Sequence, residues 1–269
     1  MNLPIGHLTQ KGITTPDDTV RYIRDIRQRE GVDIPDIPST CLISYSDDLL
    51  DATKSRFSNT PVNIGIRKRT DLYFFRLPNG NRFGMVSPQY GAPMAATLLE
   101  ELISMGFQRF LSFGITGHIA EDRPTMNVGD VILVEDSISY DGTTRHYLPP
   151  EQVPKADRDV TNELKRILKH RRVPFRAGRI ATTDAIYRET SALIRDAIGK
   201  GALAFDMETA ALFACAEFHR KPIGAMRYVS DIVLVSEPRG RWEHHDPEIL
   251  SSLMKERILE PVLEFTGSQ

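Results

Sequence analysis

The sequence is poor in the features that mark a secreted, metal-bound or membrane protein. Its 269 residues include two cysteines, Cys41 and Cys215, each within an apolar stretch (CLIS and FACAEF). Two are too few for a disulfide framework or a zinc knuckle, and their setting reads as buried, reduced thiols. The adjacent His244 and His245 cannot share a helix face, so no metal is expected. Neither sign of charge dominates: 34 Lys and Arg stand against 36 Asp and Glu, which gives no electrostatic reason for a nucleic-acid or membrane partner. No run approaches the ~18 to 20 apolar residues of a membrane span. The first residues, MNLPIGHLTQKG, lack the basic start and apolar core of a secretory signal, so the expected location is the cytoplasm. Repeats and low-complexity tracts are missing too. The chain has the 41% apolar content of an ordinary globular protein and the length to bury a large core.

Residues 1–38 read as a polar N-terminal arm with a helical stretch at 17–30, closed by Pro35 and Pro38; residues 39–269 read as one domain. From Thr40 on, short apolar runs alternate with helical periods. CLISY at 41–45 predicts a strand. LYFFRL and RFGMVS flank Asn79-Gly80 and predict a hairpin. MAATLLEELISM (94–105) predicts a helix stopped by Gly106. Strands are expected at 109–115, 130–136, 175–182, 201–207 and 222–229, with helices at 160–170, 189–198, 208–218 and 247–265. This alternation predicts a three-layer α/β/α fold with a central mixed, mostly parallel sheet. In such sheets ligands bind beyond the carboxyl ends of the strands.

Three such ends carry polar groups or glycines. SFGITGH (112–118) reads as a glycine turn after a strand, either a plain turn or a close backbone approach to a ligand. In FDMETAALFA (205–214), Asp206 and Glu208 either complement a helix N-terminus or, in the case of Glu208, accept hydrogen bonds from two vicinal hydroxyls, with Met207 against the apolar sugar face. In RYVSDIV (227–233), Asp231 ends a strand. It either caps the next segment or gives a proton to a leaving group.

Together with NVGDVILVED (127–136) and TTDAIYRET (182–190), these segments resemble the nucleoside phosphorylase and nucleosidase superfamily, which includes uridine phosphorylase, hexameric purine nucleoside phosphorylases and methylthioadenosine nucleosidase. The resemblance runs from about Cys41 to Val235. It implies cleavage of the N-glycosidic bond of a nucleoside, without a cofactor, through a ribosyl cation akin to that of glycosidases. It implies that Met207 and Glu208 hold the ribose and that Asp231 addresses a purine ring nitrogen. Phe205, Ile186, Tyr187 and Ser230 would line the base pocket. It further implies a homodimer or a hexamer built as a trimer of dimers, and His7 is similar to a histidine that some members lend to a neighbouring subunit.

The sequence departs from the family at the anion site. Ser112 stands where phosphorylases carry an arginine, and Ile115 where a hydroxyl residue follows Gly114. ISYSDDLL (43–50) lacks the family's glycine and second arginine. A phosphate dianion needs charge-assisted donors, which Ile115 lacks, and Asp47 or Asp48 would repel it. A carboxylate there is similar to the nucleosidase branch, so hydrolysis is the favoured expectation, with Asp47 or Asp48 as the base unless they merely cap a helix. Arg67 and Arg69, if not a solvated basic loop, would restore phosphorolysis, with phosphate as co-substrate. A nucleoside-binding sensor without catalysis is the remaining alternative.

Overall fold

The computed structural model describes residues 3, 7–31, 34–64, 70–236, 241–244 and 246–268. Arg67 and Arg69, and His245 of the adjacent histidine pair, lie outside them. β1 (Thr40–Ser44) is buried along its whole length and sits mid-sheet, which explains its unbroken apolar reading. It pairs in parallel with β5 (Arg109–Ala120) on one side and β4 (Arg82–Val86) on the other. β4 forms the anticipated hairpin with β3 (Thr70–Arg76), turning at Gly80, whose φ of 88° suits glycine. β2 (Asn59–Ile64) adds an outer antiparallel strand.

Beyond β5 the sheet curls. β6 (Val131–Ser139), β7 (Phe175–Thr182), β8 (Ala202–Asp206) and β9 (Ile223–Leu234) continue the order β9-β6-β7-β8-β5. β5 also pairs directly with β9, so these five strands close on themselves. β10 (Arg241–His244) pairs antiparallel with β9.

Helices cover both faces. One core cluster joins the sheet to α1 (Pro16–Arg29), α3 (Ala92–Met105) and α6 (Thr209–Phe218). A second joins it to α2 (Asp47–Arg56), α4 (Arg158–His170), α7 (Pro247–Arg257) and α8 (Leu259–Gly267). The layers are thus α/β/α around a mixed sheet. α5 (Ser191–Gly199) packs through Ile194 and Ala197 on a smaller cluster that includes Phe205. α1 is tied to the domain: Val20 and Ile23 are buried, and the buried Arg27 donates through Nε to the Asn63 carbonyl at 3.1 Å. Among the described residues no helix is long and apolar enough to cross a membrane.

Two local expectations are corrected. SFGITGH is no turn: β5 runs straight through Gly114 and Gly117, held by β9 along its full length. Nor does Asp231 end its strand, since β9 continues to Leu234. The β5–β9 register shifts between Thr116, opposite Val229, and Gly117, opposite Asp231, leaving Ser230 as a bulge. Such a bulge re-aims the side chain that comes after it. Polar residues in the middle of both strands made them look shorter than they are.

Candidate active site

The site begins with the missing side chains of β5. A Cβ on Gly117 would lie 2.9 Å from Oδ2 of Asp231, so the carboxylate occupies the space that glycine leaves. Ser230 Oγ donates to Asp231 Oδ1 at 2.5 Å, and Asp231 is half-buried. Gly117 also pairs with Phe205 of β8, whose ring is buried and stacks on Tyr140 with centroids 6.0 Å apart. Asp231, Ser230 and Phe205 therefore share one neighbourhood around Gly117.

Three residues earlier, a Cβ on Gly114 would lie 3.2 Å from Cβ of Tyr45, the residue directly after β1. Tyr45 is 7% exposed, and its hydroxyl has no hydrogen-bond partner among the described residues. Burial, then the nearby Glu208 carboxyl, push its phenol well above the ordinary tyrosine range.

Glu208 comes after β8 and is buried at the start of α6. The Gly91 amide, at the N-terminus of α3, donates to its Oε1 at 2.8 Å. Burial first, then the charge of Asp206, raise its pKa from 4.5 to about 7. Met207 beside it is half-buried.

Beneath Glu208 lies a polar network that the sequence did not reveal. Arg227, fully buried in β9, donates from Nε to Asp206 Oδ2 at 2.9 Å and from Nη2 to Ser112 Oγ at 3.1 Å. Thr182 Oγ donates to Asp206 Oδ1 at 2.6 Å, and Thr209 donates to the same carboxylate through its amide and its hydroxyl. Every partner is enclosed, so the network is a scaffold that fixes the β8–α6 junction and with it Glu208. The hydroxyl of Ser112, placed by the sequence at the anion pocket, is bound into this buried network. The one available signal was an arginine in an otherwise apolar strand, IGAMRYV.

The other anticipated residues are more scattered. Ile115 is 51% exposed on β5. Asp47 and Asp48 are exposed in the first turn of α2, where Ser46 is the N-cap; Asp47 Oδ1 accepts from Ser87 Oγ at 3.0 Å. Ile186 and Tyr187 form a short 3₁₀ turn. Tyr187 is 97% and Ile186 53% exposed in the single chain. Glu189, next along, was missed. Burial and then the charge of Asp231 raise its pKa from 4.5 to about 7. His7 meets a residue of its own chain, with Nε2 3.1 Å from Nδ1 of His146.

The arrangement thus sets Tyr45 and Asp231 in the spaces that Gly114 and Gly117 of β5 leave open, Tyr45 within electrostatic reach of Glu208 and Asp231 within that of Glu189. The chain is similar to known proteins over most of its length. Residues 40–264 match the model of the phosphorylase superfamily. A guanosine phosphorylase of Halorubrum lacusprofundi is 28% identical over 60% of this chain and 66% of its own length. A DeoD-type purine nucleoside phosphorylase of Brevibacillus brevis is 28% identical over 59% of this chain and 67% of its own. The chain thus spans about two thirds of the length of these relatives. The crystal structure of uridine phosphorylase from Vibrio fischeri, complexed with 6-hydroxy-1-naphthoic acid, shares the fold with a TM-score of 0.71. It is 18% identical and covers 88% of this chain and 93% of its own.

Proposed function

The chain belongs to the phosphorylase superfamily, and from that premise we propose that it cleaves the N-glycosidic bond of a nucleoside, a purine nucleoside by preference, with water as the acceptor. Glu208 accepts hydrogen bonds from the 2′ and 3′ hydroxyls of ribose, with Met207 against the sugar face. Asp231 supplies or shares a proton at a purine ring nitrogen. As the bond from C1′ to the base breaks, its electron pair leaves on the base, which takes up a proton. Water bonds to C1′ and gives up a proton, so water adds across the bond. Asp47 or Asp48 is the base we assign to that last proton. No cofactor enters; in the phosphorylase family phosphate is the co-substrate.

The observation that carries the choice of water is the chemistry around Gly114. Ile115 is apolar, Ser112 is turned into the core, and the Arg227 guanidinium below is already committed to Asp206. A dianion at Gly114 would find no donor on the Ile115 side chain and the Arg227 guanidinium already engaged. Phosphorolysis is the second reading, favoured by the names of the guanosine, purine nucleoside and uridine phosphorylases that the chain resembles; Arg67 and Arg69 would then serve the anion.

We assign the chain a homo-oligomeric state, a dimer or a hexamer, on its family membership. A monomer at micromolar concentration in sedimentation counts against it. Asp231→Asn tests the central assignment. Base release should fall roughly 10²- to 10⁴-fold while nucleoside affinity changes little; equal loss of both makes Asp231 structural.

A further inference from the structure

The seam between α3 and α6 holds a set of side chains that the proposed chemistry does not use. Among the described residues, Glu100, Cys215 and His219 bring a carboxylate oxygen, a sulfur and an imidazole nitrogen within 4.8 Å of one another. Cys215 and His219 stand four positions apart at the end of α6, so they share one face of it. The helical spacing reaches His219 itself, whose amide donates to the Cys215 carbonyl at 3.1 Å. Glu100 comes from α3, and its Oε1 lies 2.8 Å from Nε2 of His219. Cys215 Sγ also touches α3 one turn earlier, 3.8 Å from the Ala96 carbonyl oxygen. The Tyr147 hydroxyl completes the group, in hydrogen-bonding reach of the Glu100 carboxylate and the Cys215 thiol.

The set is sheltered yet open on one side. Cys215 is fully buried, whereas the Glu100 and His219 side chains each keep 25% of their surface. Those two and Tyr147 line a cavity of about 1080 Å³ that opens toward the N-terminal arm, which gives water and a hydrated ion a way in. Sulfur, imidazole and carboxylate donors together suit zinc, whereas magnesium and calcium take oxygen alone. Tetrahedral zinc holds sulfur at ~2.3 Å and nitrogen or oxygen at ~2.0 to 2.2 Å, which sets donors roughly 3.4 to 3.6 Å apart. The widest separation here must then close by about 1.2 Å, a movement open to the partly exposed Glu100 and His219 side chains. A thiolate and a carboxylate carry two negative charges, which balance a dication beside a neutral imidazole.

We propose that Glu100, Cys215 and His219 form a structural site for Zn²⁺, with a water from the cavity as fourth ligand, and that the ion staples α3 to α6. On binding, the Cys215 thiol gives its proton to solvent, the imidazole binds neutral, and nothing is oxidised or reduced. The staple acts on the two helices whose N-termini meet at Glu208, where the Gly91 amide holds Oε1. Cys215 lies about 10 Å further along α6, so the ion fixes the far end of that pair and takes no part in bond breaking. The site stands independently of the glycosidic reading.

The test uses the full chain, stripped with a chelator and then titrated with Zn²⁺, Co²⁺ or Mg²⁺ alone. Wild type should bind one Zn²⁺ per chain, and its melting temperature should climb with Zn²⁺ and not with Mg²⁺. Its Co²⁺ complex should show a thiolate-to-metal charge-transfer band. Cys215→Ser should abolish that band and weaken Zn²⁺ binding by more than the ~100-fold that loss of an outer partner can cost. His219→Gln should weaken binding comparably while the band survives at high Co²⁺. No saturable Zn²⁺ binding by wild type overturns the inference, as does a Co²⁺ complex without the band, or a Cys215→Ser that binds like wild type. Binding that survives Cys215→Ser and is lost in His146→Gln also overturns it, because the ion would then sit on the His7–His146 pair. If Cys215→Ser fails to fold, the wild-type cobalt band and His219→Gln, at the partly exposed helix end, still decide.

Discussion

Gly117→Ala separates the chemistry of Asp231 from its packing. The added methyl would stand 2.9 Å from Oδ2 and 3.5 Å from Cγ of Asp231, where ordinary contact begins at 3.4 Å. Relief requires the carboxylate to retreat by about 0.5 Å, because a strand held on both sides by β8 and β9 cannot yield as easily as a side-chain tip. The backbone itself suffers nothing, since the φ of Gly117 lies outside the left-handed region. Replacing glycine in a strand stabilises it by roughly 0.5 to 1 kcal/mol through the unfolded chain, which offsets the crowding. A misplacement of ~1 Å at a reacting group costs on the order of 100-fold, so half that distance should cost about 10-fold. The variant should therefore melt within a few degrees of wild type, bind nucleoside nearly as well, and release base about 10-fold more slowly. Wild-type turnover by a folded Gly117→Ala would refute the reasoning, because Asp231 would then have moved without consequence.

The same geometry fixes three further outcomes. Glu208→Ala should lower cleavage of ribosides strongly and of 2′,3′-dideoxynucleosides little; equal loss on both substrates removes Glu208 from the ribose. Arg227→Met should destabilise the fold by about 3 to 5 kcal/mol, the cost of stranding a buried carboxylate, read as a shift of the urea midpoint; an unchanged midpoint would mean that Asp206 is satisfied without it. The pH dependence has a definite sign. The folded pKa of Glu208, about 7, lies above the ordinary 4.5, so between those values the native state holds a proton that the unfolded chain has lost. Stability from this group therefore falls as pH rises from 4.5 to about 7, and Glu208→Gln should flatten that fall in melts taken across the window. The raised Glu189 adds a slope of the same sign.

Much of the frame was legible in the residues. β1 reads as an apolar run because it is buried on both faces, Asn79-Gly80 announces its hairpin, and Gly106 stops α3 where a positive φ is needed. The long strands β5 and β9 were cut short because their middles carry glycine, serine and aspartate, residues that mark turns when read locally. In the fold those positions are where two strands make room for side chains from elsewhere. Gly114 is small because Tyr45 lies on it, and Gly117 because Asp231 does. Neither contact has a local signature, since the partners are 69 and 114 positions away in the sequence. The same holds for the Arg227–Asp206 network, which takes up the hydroxyl of Ser112. The last helix divides at Ile258 into α7 and α8, a break that periodicity alone does not mark.

The central claim is that this chain breaks a nucleoside with water. It is tested most directly by incubating the purified protein with a panel of purine and pyrimidine nucleosides, with and without inorganic phosphate, and separating the products. The account predicts free base and free ribose from a purine nucleoside in phosphate-free buffer, at a rate that added phosphate does not raise. Base appearing only with phosphate, together with ribose 1-phosphate, would contradict the choice of water; no base from any nucleoside under either condition would contradict the account as a whole.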